Sequence, residues 1–290
     1  MKKLACISGL MFIMVLNIEA QEVEILRKEL VYKQVDDQLL SVDVFYPNEL
    51  PENQQFPAIA FFHGGGWVFG SPEEFHGACE RYAKKGFVTF SFQYRLSINE
   101  DGSYPNPDIS PIESVKDARS AIRWLREHAG ELNIDPNKII VSGQSAGGQL
   151  ALSTALMDNI NEQSDDPDVS PEPNALLLYS SCVNTMEAWI DYIMSDRRDQ
   201  IWSISPYHNL KPGMPPILAF HGEADCMVLF YTIQFFNTKM KDLGNSYELV
   251  TLPGRDHYLG ENADPKYARY FDEEILERSD AFLEQLGYME

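Results

Sequence analysis

Short apolar runs alternating with helix-length segments constrain this chain more than any other feature. Residues 57–62, 87–92, 139–141, 175–179, 217–220 and 247–252 are largely apolar, the pattern of strands buried on both faces. Between and after them, residues 72–85, 112–128, 146–157, 231–243 and 267–286 have helical spacing. In 112–128, for example, Val115, Ala118, Ile122 and Leu125 share one face. Strands that alternate with helices require a mostly parallel sheet covered on both faces. Two earlier runs, 23–32 and 39–46, alternate polar and apolar residues about Asp36-Asp37 and read as an antiparallel hairpin. The expectation is an α/β protein with a mostly parallel eight-stranded sheet. No linker-like stretch divides the 290 residues, so 21–290 reads as a single domain.

Two segments break the alternation. Residues 96–111 are rich in Asn, Asp, Gly, Ser and Pro and read as a long loop. Residues 182–210 carry Trp189, Tyr192, Met194, Trp202 and Tyr207 with weak periodicity, and read as a short lid-like insertion. The segment follows a strand, on the side where open α/β sheets bind ligands, so it either packs over the sheet or faces substrate. The acidic stretch 162–172 lacks calcium-ligand spacing and reads as a solvated loop.

The first twenty residues differ from the rest. Lys2 and Lys3 precede an apolar stretch, 4–16, and then Asn17-Ile18-Glu19-Ala20, the pattern of a secretory signal peptide cleaved after Ala20. A secreted or periplasmic protein is therefore expected, with no further stretch long enough to span a bilayer. Cys79, Cys182 and Cys226 remain after cleavage; an odd number at wide spacing makes no disulfide framework. The net charge of -21 repels phosphate backbones and anionic lipid, which excludes nucleic-acid and membrane-surface roles and favours neutral substrates. There is no His-Glu-x-x-His, Cys-x-x-Cys or dinucleotide fingerprint, so neither a metal nor an organic cofactor is expected.

The chemistry concentrates at Gly143-Gln144-Ser145-Ala146-Gly147, which joins the strand at 139–141 to the small-residue helix at 146–157. In that setting a serine sits on a sharp turn with its hydroxyl exposed. A serine hydroxyl needs a base, and in this architecture the acid and then the histidine follow it along the chain. His257, just past the strand 247–252, meets that order; His76 and His128 precede the serine, and His208 lies in the interrupting segment. Asp225, in the loop after 217–220, is the acid, with Glu223 as its rival. His63-Gly64-Gly65-Gly66-Trp67 follows the strand 57–62. Its glycines let backbone N–H groups approach a developing negative charge. The N–H groups of Gly65, Gly66 and Ala146 would form an oxyanion hole, with His63 bracing the loop. Trp67 either stacks on a sugar ring as a substrate-binding residue or fills the core.

His-Gly-Gly-Gly-Trp, Gly-Gln-Ser-Ala-Gly-Gly, His-Gly-Glu-Ala-Asp and Asp-His-Tyr, in this order, resemble the α/β-hydrolase superfamily. The similarity is greatest to hormone-sensitive-lipase-like carboxylesterases and bacterial feruloyl or acetyl-xylan esterase-like enzymes, and it covers about residues 22–288. It implies the α/β-hydrolase fold, Ser145, Asp225 and His257 as a catalytic triad, and Gly65, Gly66 and Ala146 as the oxyanion hole. The expected activity is that of a secreted serine esterase on short-chain or small aryl esters, including acetyl or feruloyl groups on plant polysaccharide. Its expected partner is a small-molecule ester or an acylated glycan. A formamidase-like amide hydrolase using the same residues and a non-catalytic binding module on the same fold are the alternatives. The insertion at 182–210 is short for a cap, which points to an open cleft rather than a long-chain lipase.

Overall fold

The computed structural model describes residues 23–49, 51, 54–260 and 271–289; the stretch 1–20, expected from the sequence to be a signal peptide, lies outside the described residues. Eight strands run in chain order: β1 (Ile25–Val35), β2 (Gln38–Pro47), β3 (Phe56–Phe62), β4 (Val88–Phe92), β5 (Ile134–Gln144), β6 (Ala175–Tyr179), β7 (Ile217–Gly222) and β8 (Tyr247–Leu252). The helices are α1 (His76–Lys84), α2 (Pro111–Glu127), α3 (Ala146–Leu156), α4 (Ala188–Met194), α5 (Phe230–Asp242) and α6 (Glu273–Gln285).

The strands form one sheet in the order β1-β2-β4-β3-β5-β6-β7-β8. The β1–β2 hairpin joins antiparallel, and every pairing from β4 onward is parallel. In β3, Ala58, Ala60 and Phe62 face one core with α2, α3 and α5, whereas Ile59 and Phe61 face the other with α1 and α6. A strand covered on both sides has no polar face to show, which is why these runs read as continuous apolar sequence.

Helix ends follow side-chain chemistry. Ser110 and Glu113 form a reciprocal capping box on α2, with Pro111 at the first helical position. α6 begins at Glu273, where Asp272 accepts the Ile275 N–H at 3.1 Å; the first part of the expected helix, 267–270, lies outside the described residues.

The stretch 162–172 is not simply solvated. Glu162 pairs with Lys33 at 3.0 Å and with Arg95 at 2.8 Å, and Asp165 pairs with Arg123 at 2.9 Å. Both Lys33 and Arg95 also meet the fully buried Asp117 of α2. These carboxylates turn inward where Lys33 of β1, Arg95 after β4 and Arg123 of α2 are buried cations that would otherwise lie uncompensated.

Candidate active site

β5 runs straight into α3 through Ser145, whose backbone has φ 54 and ψ -116. A non-glycine residue seldom holds this conformation, and it persists only where the surroundings force it. Here the strand and helix approach so closely that a Cβ on Gly143 would overlap the backbone of Gly147, and one on Gly147 would overlap the carbonyls of Phe62 and His63. Only glycine fits at either position, and the turn lifts Ser145 into a cleft of about 770 Å³ above the C-terminal ends of the strands.

β7 and β8 are neighbours, so the loops that follow them meet. The N–H of Glu223 donates to the Leu252 carbonyl and that of Ala224 to the Arg255 carbonyl, at 3.1 and 2.9 Å. This brings Asp225 Oδ2 to 2.8 Å from His257 Nδ1, with both side chains buried. The other Asp225 oxygen accepts the N–H groups of Met227 and Val228, at 2.9 Å each. Burial works against the Asp225 anion, but the His257 hydrogen bond and charge, the Val228 N–H and His221 together hold its carboxyl below the ordinary range. Glu223, the rival acid, is exposed. Arg255 ties the histidine loop down by donating to the Leu259 carbonyl at 2.7 Å and pairing with Asp272.

With Nδ1–H directed at Asp225, His257 offers the Nε2 lone pair to the cleft. The amide of Gln144, the residue before the serine, donates to that nitrogen at 3.0 Å. Ser145 and His257 line the same cleft. Sequence reasoning missed this contact of Gln144, whose partner lies 113 residues away.

The glycine loop lies on the same side. Gly65 has φ 112 and Gly66 φ 63, and a Cβ on Gly65 would overlap the Phe69 carbonyl. Its carbonyl accepts the N–H groups of Val68 and Phe69, closing a tight turn. Gly65 and Gly66 line the cleft, and Ala146 opens α3, where an N–H has no partner within the helix. His63 stands behind the loop, its Nδ1–H donating to the Gly64 carbonyl at 2.8 Å and its ring stacked on Tyr94 at 4.3 Å.

Trp67 requires a correction. It is fully buried, with Nε1–H donating to Gln149 Oε1 at 3.1 Å, so it fills the core rather than lining the cleft. The backbone at Trp67 is left-handed, with φ 60. Trp189, stacked on it at 5.7 Å, lines the cleft in its place. The insertion that carries Trp189 folds as α4 followed by a 3-10 segment, Ser195–Ile204, and contributes Glu187, Trp189, Tyr192 and Ile193 to the cleft.

Comparison with known proteins agrees with this architecture. The BD-FAE family model matches residues 42–240. Solved structures of Thermogutta terrifontis esterase 2 are similar. The form phosphoramylated by tabun has TM-score 0.80 and 34% identity, over 91% of this chain and 96% of that one. The propionate-bound form has TM-score 0.79 and 34% identity, over 93% and 97%. Esterase LipC of Mycobacterium tuberculosis is 26% identical over 77% of this chain, and esterase LipI of the same organism 32% over 37%. The chain spans 57% of LipC and 31% of LipI. With the family pattern covering most of the sheet and the esterase structures aligning over nearly all of both chains, this chain belongs to the BD-FAE family, among the hormone-sensitive-lipase-like serine carboxylesterases of the α/β-hydrolase fold.

Proposed function

We propose that this protein is a serine esterase that hydrolyses short-chain or small aryl carboxylic esters through an acyl-enzyme. The observation that carries the reading is that Ser145, on its forced turn, and His257, held by the buried Asp225, line one cleft. Ser145 attacks the ester carbonyl while His257 Nε2 takes its proton, and Asp225 steadies the imidazolium that forms. For that transfer the serine hydroxyl takes over the nitrogen that Gln144 occupies in the resting arrangement. The N–H groups of Gly65, Gly66 and Ala146 receive the oxyanion. The alcohol leaves with the proton from His257, and water then releases the acid.

Short acyl groups are supported by the propionate-bound and butyrate-bound structures of Thermogutta terrifontis esterase 2. Acetyl or feruloyl esters of plant polysaccharide fit the open, aromatic-lined cleft, and export fits the basic and apolar N-terminus. The test is a panel of p-nitrophenyl esters from acetate to decanoate, with methyl ferulate, acetylated xylan and an N-formyl arylamine. Ser145→Ala is expected to lower ester turnover by about 10^3-fold or more with the fold intact. Near-normal turnover by that variant, or faster turnover of the formyl amide than of every ester, overturns the reading.

A further inference from the structure

The cleft has a charge and a surface that the hydrolytic step does not require. Trp189 stacks on Trp67 and reaches the glycine loop, where a Cβ on Gly66 would lie 3.4 Å from its ring. Phe69 meets Tyr104 edge to face at 5.3 Å, and the Tyr192 hydroxyl donates to the Tyr104 carbonyl at 3.1 Å. Phe69, Tyr104, Trp189 and Tyr192 all line the cleft and are exposed.

Two half-buried carboxylates share this lining. Glu74 lies on one side of the glycine loop: its Oε1 is 2.9 Å from where a Cβ on Gly70 would be, beside Gly64 and His63. Glu187, two residues before Trp189 at the start of α4, also lines the cleft. Among the described residues that line the cleft there is no lysine or arginine. The arginines of the insertion are committed elsewhere, Arg197 to Glu113 at 2.8 Å and Arg198 to Asp191 at 3.7 Å. The protein as a whole carries -21. An aromatic lining attracts cations through its ring faces, and carboxylates beside it add direct attraction.

We propose that the cleft selects esters bearing a cationic group, a quaternary or protonated ammonium, over neutral esters of the same shape, and rejects anionic ones. The proposal rests on the esterase reading and leaves its chemistry unchanged: the ester C–O bond breaks, water supplies the new oxygen, and the alcohol departs with a proton. The same charges also repel the carboxylate product, which favours its release.

The experiment uses the full chain and three acetate esters of similar size, followed by pH-stat titration at low salt. They are acetylcholine, its uncharged carbon analogue 3,3-dimethylbutyl acetate, and the acetate ester of a hydroxyalkyl sulfonate. The kcat/KM of the choline ester is expected to exceed that of the neutral analogue by about tenfold, with the sulfonate slower than both. The gap should narrow when salt is raised to about 0.5 M. Glu187→Gln and Trp189→Leu should each shrink the cation-to-neutral ratio, which is read within each variant so that loss of folded protein cancels. Equal kcat/KM for the choline ester and its neutral analogue overturns the proposal while leaving the esterase reading standing. Failure of the wild-type protein to hydrolyse any ester, p-nitrophenyl acetate included, overturns both.

Discussion

Gln144 shows how one side chain can set the resting state of a site. Its amide N–H groups can only donate, so the 3.0 Å contact selects an imidazole whose Nε2 carries a lone pair. A carboxylate in the same place would select the protonated ring instead. Gln144→Glu is therefore expected to shift the acidic limb of the kcat/KM profile to higher pH and to lower activity at neutral pH by about tenfold. Gln144→Ala serves as the control for packing, and a profile for Gln144→Glu that overlays the wild type would remove this role. That Ser145, Asp225 and His257 come together was legible in the sequence, because their order along the chain follows the order of the strands. Gln144 was not legible, because nothing local links it to a histidine in a distant loop. Which of the two readings of Trp67 holds was not legible either, because its burial depends on packing against Gln149 and Trp189, far away in the chain.

At the level of elements, the alternation of apolar runs and helical spacing marked every strand, since a strand buried on both faces leaves a distinctive sequence. It marked their extent less well. β5 begins at Ile134 rather than at 139, because Ile134 pairs with Phe56 across a register shift while the polar Asp135, Pro136 and Asn137 carry no strand pattern. α4 was hidden for another reason. It is short, and tertiary contacts secure the segment, such as the Thr185 hydroxyl donating to the Ile201 carbonyl at 2.7 Å. α6 supplies a direct test of how elements hold the site. Asp272 both caps this helix and pairs with Arg255 of the histidine loop. Asp272→Ala is expected to cost about 1–2 kcal/mol in urea denaturation. Its kcat should fall further than the loss of folded protein explains.

Across the whole molecule, the buried histidines set the stability on the acid side. Burial pushes the His63 imidazole down to about 4 and lowers His221 as well. Below the ordinary histidine value the unfolded chain takes up protons that the native protein refuses, so stability falls as the pH drops from about 6.5 toward 4. For His63 alone this amounts to about 2–3 kcal/mol by pH 4.5. Carboxylates continue the trend lower down. Burial would raise Asp280, but its hydrogen bonds to Arg81 and the charge of Lys85 hold it below the usual range. Its stabilising contribution is present above the ordinary aspartate value and is lost as the pH falls through the depressed one. Urea melts between pH 7.5 and 4.5 should show this slope, and His63→Gln should flatten it. An unchanged slope in that variant would assign the acid sensitivity elsewhere.

The meeting of the β7 and β8 loops has a consequence in time as well as in space. A ribosome delivers Ser145 and the glycine loop long before His257, and the histidine loop gains its backbone partners only when β8 docks beside β7. On the mechanism proposed above, Ser145 is without its base until that docking occurs, however well the earlier strands have assembled. On the proposed mechanism, hydrolytic competence therefore requires β8 in place beside β7.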